Sequence, residues 1–226
     1  MTRTQTAVQR LRDVPLFRSL SADRLKDLLE GAGQRELRPR EILYEQDDSA
    51  SSCFVVLSGT MQFSVRLGQQ RAIASLAFTD DVFGLEALRS RPVQLETAAA
   101  VCATQLLVID ASALERFLLD HPQFQLDLLD YVISKVHERT THAVRTGHYD
   151  AEQKIAAYLI SHSDEVSRQG QGADALSQAE LADYLALTPE TFCRKVSKFR
   201  QLGWIAGRGN EYTVKRQDAL RRLLDR

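Results

Sequence analysis

Glu190 and Arg194 stand four residues apart in TPETFCRKVSKFR, residues 188–200. On a helix that spacing puts a carboxylate and a guanidinium one above the other on a single face. A carboxylate accepts from cytosine N4, and a guanidinium donates bidentately to guanine O6 and N7, so the pair can read base edges in a major groove. Around it stand Thr188, Thr191, Cys193, Ser197 and Lys198, with Gln178 upstream; the hydroxyls of Thr188, Thr191 and Ser197 and the Lys198 ammonium suit phosphate oxygens or thymine. These eight residues are the candidate DNA contacts.

Two helices must hold them in place. Ser177-Gln-Ala-Glu180 is a capping box, which satisfies orphan amides at a helix start and here precedes the apolar set Leu181, Tyr184 and Leu185. Leu187 closes that helix, Thr188 can cap the next, and Pro189 suits its first position because no hydrogen bond is lost there. The inward face of the second helix reads Phe192, Val196, Phe199 and Leu202, and Gly203 supplies the stop. Two short surface helices in an unrelated α domain are the plainer reading of a capping box alone. The tight turn and the outward chemistry favour a helix-turn-helix. Ile205–Ala206, a GRGN turn and Tyr212–Val214 then read as a hairpin wing, followed by a helix over Asp218–Leu224. From Glu190 to Arg226 ten Lys/Arg stand against four Asp/Glu, a balance of +6 in a chain whose total is −1, so residues 1–189 carry −7. Such a basic end is what phosphate attraction requires.

The preceding residues change character twice. At 226 residues, 44% hydrophobic and 26% charged, the composition is that of a soluble globular chain of one or two domains. No run is apolar enough to span a membrane, and MTRTQTAVQRLRD lacks the apolar core of a signal peptide, so the expected place is the cytoplasm. Cys53, Cys102 and Cys193 are odd in number and far apart, which argues for separate reduced thiols, with Cys53 and Cys102 as core residues in strands. Ser21 caps a short helix with Leu25, Leu28 and Leu29 inward. From Arg35 to Asp110 short strands follow at Glu41–Tyr44, Cys53–Leu57, Met61–Arg66, Ala72–Ala77, Ala98–Ala103 and Thr104–Ile109, separated by turn signals. Strands so spaced suit a double-sheet jelly roll, the class that includes cupin enzymes. A cupin metal site needs histidines on the strands, yet the first histidine is His121, after the last strand. No nucleophile–base or metal constellation marks an enzyme.

Helix resumes at Ser112–Phe117, and Pro122 to Thr146 reads as one long helix. Leu129, Val132, Ile133, Val136, Thr140 and Ala143 recur at three and four, a seam that predicts a homodimer; the plainer reading packs it on its own domain. Gly147–Asp150 reads as a hinge, Glu152–His162 as an amphipathic helix and Ser167–Ala175 as a loop. The fold class is α+β: a jelly-roll (double-stranded β-helix) sensor domain over 1–120, a dimerisation helix over 121–147 and a winged helix-turn-helix over 148–226.

Sandwich, seam helix and winged helix-turn-helix in that order resemble the cyclic-AMP receptor/FNR superfamily of bacterial transcription regulators. The residues that carry the resemblance are Leu57-Ser58-Gly59 before Met61, Phe83-Gly84-Leu85-Glu86-Ala87-Leu88, and Glu190-Thr191-Phe192-Cys193-Arg194. It implies a dimer that binds palindromic double-stranded DNA, contacts RNA polymerase and takes a small-molecule or gas effector, with no role for a membrane. The effector pocket would draw on Gly84, Leu85, Glu86, Glu96 and Thr97, with Val136 and Thr140 from the long helix.

Departures from the family pattern narrow the effector. Cyclic-AMP-binding members hold the ribose with a Gly-Glu pair and neutralise the phosphate with an Arg-Ser pair; here Gly84-Leu85 and Glu96-Thr97 stand in those places. A carboxylate at Glu96 would repel the phosphate, so cyclic AMP is not expected. The FNR branch proper carries an iron-sulfur cluster on N-terminal cysteines, and this chain has none before Cys53. What remains is similar to the cluster-free, nitric-oxide-responsive FNR relatives (Dnr/Nnr-like), some of which use heme, and which share a P-E-T-F-x-R helix. His137, His142 and His148 are the axial-ligand candidates for a heme; their plainer reading is solvated surface. The resemblance gives Glu190 a cytosine and Arg194 a guanine. Pro189 replaces an arginine of the cyclic-AMP receptor and Cys193 a serine of FNR-like readers, which implies TTGA-like half-sites. Oxidation of Cys193 would be one control of binding; a packing role is the simpler one. Activation and repression are both open, and the second functional reading is a constitutive DNA-binding dimer whose β-roll is a scaffold or protein-docking domain.

Overall fold

The structure is a computed structural model that describes residues 9–169, 176–207, 209 and 212–225, with only the backbone of 162–169. The chain forms two compact units, one of residues up to Arg71 and Leu76–Glu138, the other of Ala72–Ser75 and Arg139 onward.

In the first unit, helix α1 (Ala22–Leu29) begins where Ser21 accepts from the Arg24 amide and buries Leu25, Leu28 and Leu29. Eight strands follow: β1 (Gly33–Leu37), β2 (Ile42–Tyr44), β3 (Ser52–Ser58), β4 (Met61–Leu67), β5 (Gln70–Ala77), β6 (Val82–Phe83), β7 (Thr97–Ala100) and β8 (Thr104–Asp110). They build two four-stranded sheets, β1-β8-β3-β6 and β2-β7-β4-β5. This is the expected double-sheet roll. Strands β1 and β6 exceed the sequence expectation. The first, GQREL, buries only Leu37 and lacks an apolar alternation, and its register against β8, Gly33↔Val108 to Leu37↔Thr104, comes from the ladder. The other is two residues long. Cys102 lies not in a strand but half-exposed in the turn after β7, where the Thr104 hydroxyl donates to its carbonyl at 3.0 Å.

Strand β3 explains the core. Its residues alternate faces, and both faces are buried. Cys53, Val55 and Leu57 face one cluster with Phe17, Leu25, Ile109 and Phe117, while Phe54 and Val56 face another with Met61, Phe63, Phe83 and Leu106. In the second cluster Phe83 stacks on Phe54 at 5.1 Å and takes the edge of Phe63 at 5.1 Å. Three buried phenyl rings, each contributing about 1.5–3 kcal/mol, fill this space. Burial first, then nearby carboxylates, pushes the Cys53 thiol up to about 12, so it stays a neutral core group.

Gly84 has φ of 77°, and a Cβ there would meet Phe54 Cδ2 and the Ser52 carbonyl oxygen at 2.8 Å. A side chain would therefore have to displace both a core ring and backbone. We expect Gly84→Ala to lower stability by about 2 kcal/mol, read as a reduced urea midpoint at unchanged m. A midpoint equal to wild type would mean that this position is glycine for some reason other than packing.

Asp110 caps α2 (Ala111–Asp120) by accepting from the Ser112 and Ala113 amides. Helix α3, Pro122–His148, runs 27 residues and passes through Gly147, so the expected hinge contracts to Tyr149-Asp150. Its buried face begins with Phe124, whose ring stacks on Phe17 at 5.8 Å and meets the edge of Phe117 at 5.3 Å. Two turns along, the Tyr131 hydroxyl accepts from the Val82 amide at 2.8 Å and donates to the Val82 carbonyl at 3.0 Å, while Lys135 reaches Asp81 at 2.6 Å. Burial opposes the Lys135 charge, but Asp81 outweighs it and the ammonium pKa rises.

In the second unit α4 (Ala151–Gln169) buries Ile155, Ala156 and Leu159. It starts on a box the sequence reading passed over: Asp150 accepts from the Glu152 and Gln153 amides, and Gln153 accepts from the Asp150 amide at 3.0 Å. The helix also takes in Ser167–Gln169 of the expected loop; 170–175 lie outside the described residues. Helices α5 (Gln178–Tyr184) and α6 (Pro189–Gln201) follow, then β9 (Ile205–Ala206) paired antiparallel with β10 (Thr213–Val214), and α7 (Gln217–Leu224), which buries Leu220 and Leu223. The GRGN turn between β9 and β10 falls partly outside the described residues. Leu202 does not join the inward stripe, for it is 49% exposed. The helix ends at Gln201, Gly203 turns left-handed at φ 68°, and Trp204 covers Phe199 at 5.3 Å instead.

Candidate nucleic-acid interface

The two-helix element forms by local chemistry. Both halves of the Ser177/Glu180 capping box are made, at 3.2 and 2.7 Å, and the Thr188 hydroxyl accepts from the Thr191 amide at 3.3 Å to start α6. Phe192, Val196 and Phe199 then bury one stripe of α6, and the geometry of a helix obliges Glu190, Arg194 and Ser197 to face away, where all three are exposed. The Glu190 backbone amide, at the start of the helix, holds its carboxyl below the usual carboxylate range. It is therefore an acceptor at neutral pH, opposite in role to the guanidinium one turn on.

Other candidates have partners within the protein. The Cys193 thiol donates to Gln178 Oε1 at 3.0 Å, and Gln178 Nε2 donates to the Gly209 carbonyl at 3.1 Å. Arg200 Nη2 donates to that same carbonyl at 2.9 Å while its guanidinium lies 5.5 Å from the Tyr212 ring centroid. Gln178 and Cys193 thus tie α6 to the preceding helix and to the hairpin. The Thr188 hydroxyl is shared with Thr191, at 3.1 Å between oxygens. Lys198 and Lys195 both reach Glu152 Oε1 at 2.7 Å. Sequence reasoning missed Glu152, because nothing local relates α4 to a helix more than forty residues on.

Residues 153–223 match the Crp-like helix-turn-helix domain family and residues 34–121 the cyclic nucleotide-binding domain family, together more than half of the chain. The chain belongs to the CRP/FNR family. Proteins of this family are transcription regulators that bind DNA through the helix-turn-helix, and they are not enzymes. This CRP/FNR chain is 27% identical over 197 residues to the transcriptional activator protein FnrA of Stutzerimonas stutzeri, covering 85% of this chain and 80% of that one. It is 26% identical over 194 residues to the nitrogen fixation regulation protein FixK of Bradyrhizobium diazoefficiens, covering 83% and 80%. Among solved structures, FixK2 of Bradyrhizobium japonicum superimposes with a TM-score of 0.78 over 85% of this chain and 96% of that one, at 24% identity. That likeness establishes the fold.

Within the CRP/FNR roll, the candidate effector residues lie on different sheets. Gly84 follows β6 and caps the 3-10 turn Leu85–Leu88; Leu85 packs against the first core cluster and Glu86 is half-exposed. Thr97 begins β7 in the other sheet, buried, its hydroxyl accepting from the Gln46 amide at 3.1 Å, with Glu96 half-exposed beside it. Val136 and Thr140 are exposed on α3.

The three histidines have unequal surroundings. His137 and His148 are exposed. His142 is half-buried, its ring stacked on Tyr184 at 4.3 Å and its Nε2 3.4 Å from the Thr146 hydroxyl, and burial lowers its pKa. An axial heme ligand needs a ring nitrogen open to an apolar cleft. Tyr184 covers the ring face of His142 and Thr146 faces its nitrogen, while the other two imidazoles are in solvent. These residues do not fit a heme. Among the described residues there is also no cluster of three or more His, Cys, Asp or Glu side chains placed to hold a metal ion, and no helix is long and apolar enough to cross a membrane.

The face of α3 opposite Phe124 and Tyr131 is apolar and exposed: Leu126 at 59%, Leu129 at 56%, Ile133 at 57% and Val136 at 59%, with Val132 at 37% beside them. Thr140 and Ala143 continue the three–four spacing, both exposed. Leu126 extends the seam half a heptad beyond the sequence expectation. Four large aliphatic side chains exposed along one helical face form a candidate interface.

Proposed function

We propose that this chain is a homodimeric transcription regulator that reads palindromic operators with TTGA-like half-sites through Glu190 and Arg194, under the control of a signal other than cyclic AMP. The observation that carries the reading is the joint exposure of Glu190 and Arg194 on one face of a buried-backed helix in the basic end of the chain. The aliphatic stripe on α3 supports the dimer, since two-fold symmetry matches paired half-sites about one DNA turn apart. Glu96 beside Thr97, whose hydroxyl is already engaged, speaks against a cyclic phosphate. The PETFCR segment supports nearness to the nitric-oxide-responsive relatives, and none of the three histidines offers that branch an axial heme ligand. The cytoplasm is the compartment that brings such a protein to the chromosome, RNA polymerase is its expected partner, and activation accords with the names of the relatives.

The second reading, a constitutive DNA-binding dimer with the roll as scaffold, is favoured by one observation, the three phenyl rings packed against one another in the core of the roll. One experiment addresses both. Selection of binding sites from random duplexes by the purified protein should return a palindrome of TTGA-like half-sites. GTGA-rich half-sites would overturn the Glu190/Arg194 assignment. Operator affinity that no small molecule or gas alters would favour the scaffold.

A further inference from the structure

Glu152 sits at the start of α4, its backbone amide fixed on Asp150 at 2.7 Å. Its side chain is 13% exposed and one oxygen, Oε1, accepts from Lys195 Nζ and Lys198 Nζ, each at 2.7 Å. The two lysines are three residues apart on α6, on the flank that continues from Arg194 around the helix, and remain 29% and 50% exposed. When the exposed face of a recognition helix enters a major groove, its flanks meet the phosphates. Here both flank cations already hold a carboxylate, which competes with a phosphate oxygen for the same ammonium protons.

We propose that Glu152 is a positioning residue that restrains DNA affinity by holding Lys195 and Lys198 away from phosphate. The inference rests on the DNA-reading assignment of α6. The restraint acts on every sequence alike, because phosphate contacts carry no base information. Lysine Nζ must leave Glu152 Oε1 before it can neutralise a phosphate and release a counterion, so the charge pairs lower both the affinity and its salt dependence. Hydrogen bonding to Lys195 and then Lys198 depresses the Glu152 pKa, so the carboxylate stays charged at neutral pH.

The test compares wild type, Glu152→Gln, Lys195→Gln/Lys198→Gln and the triple variant by fluorescence anisotropy on a duplex that lacks the operator, over a series of potassium chloride concentrations. Glu152→Gln should bind roughly three- to tenfold tighter at physiological salt, with a plot of log K against log salt steeper by about 1–2. Adding Glu152→Gln to the double lysine variant should change neither quantity. A purely structural role for Glu152 would not steepen the salt slope. Equal affinity and slope in wild type and Glu152→Gln, or weaker binding by the variant, would overturn the restraint while leaving α6 as the reader. A wild-type protein that binds no duplex at all would overturn both.

Discussion

Replacing Ile133 with glutamate is expected to convert the protein to monomers and to weaken operator binding at least a hundredfold. Ile133 is 57% exposed at the middle of the α3 stripe, between Leu129 and Val136. In a paired seam each such side chain leaves water, at about 1.5–3 kcal/mol apiece, and a carboxylate in its place would have to be desolvated against a second copy of the same aliphatic stripe. The change should leave the protomer folded, because the α3 side chains that hold it to the roll, Phe124 and Tyr131, lie on the other face of the helix. Losing the dimer converts the second half-site contact from an intramolecular to a bimolecular event, which costs about 10²–10⁴ in apparent affinity. Sedimentation reads the mass, anisotropy on the operator reads the affinity, and circular dichroism checks the fold. A variant that still sediments as a dimer would move the interface elsewhere.

The second large effect belongs to Arg194. We expect Arg194→Ala to cost about 1–3 kcal/mol on the operator and almost nothing on unrelated duplex, and to relax discrimination at one base pair of each half-site. Stability should not change, since the side chain is exposed on α6 while Phe192, Val196 and Phe199 carry the packing. Affinities for a set of operators mutated one position at a time give the readout. An equal loss on all sequences would make Arg194 a phosphate contact, the role to which Lys198 is the better candidate.

The legible parts of this chain are those whose cause lies within about one helical turn. Ser177 and Glu180, Thr188 and Pro189, and Ser21 mark helix starts because a cap bonds an amide two or three residues away, and the structure makes each of those bonds. The apolar run of β3 and the alternation in β4 announce strands for the same reason. Where the local signal ends, so does the reading: β1 carries almost no apolar pattern and exists through its pairing with β8, far away in the chain. Leu202 follows the helical period but escapes it, because Gly203 turns the chain and Trp204 takes its place over Phe199.

The proposed reader face shows the same division. Sequence alone determined that residues 177–201 form two capped helices and that Glu190 and Arg194 project together from the second, since helical geometry and the position of the apolar stripe leave them no other direction. Only the tertiary structure decided which of the surrounding polar groups are already engaged. Gln178 and Cys193 bond each other, the wing carbonyl of Gly209 takes Gln178 and Arg200, and Glu152 holds two of the lysines. These partners meet through packing between elements far apart in the chain, and no periodicity or cap encodes a contact whose distance is set by the fold.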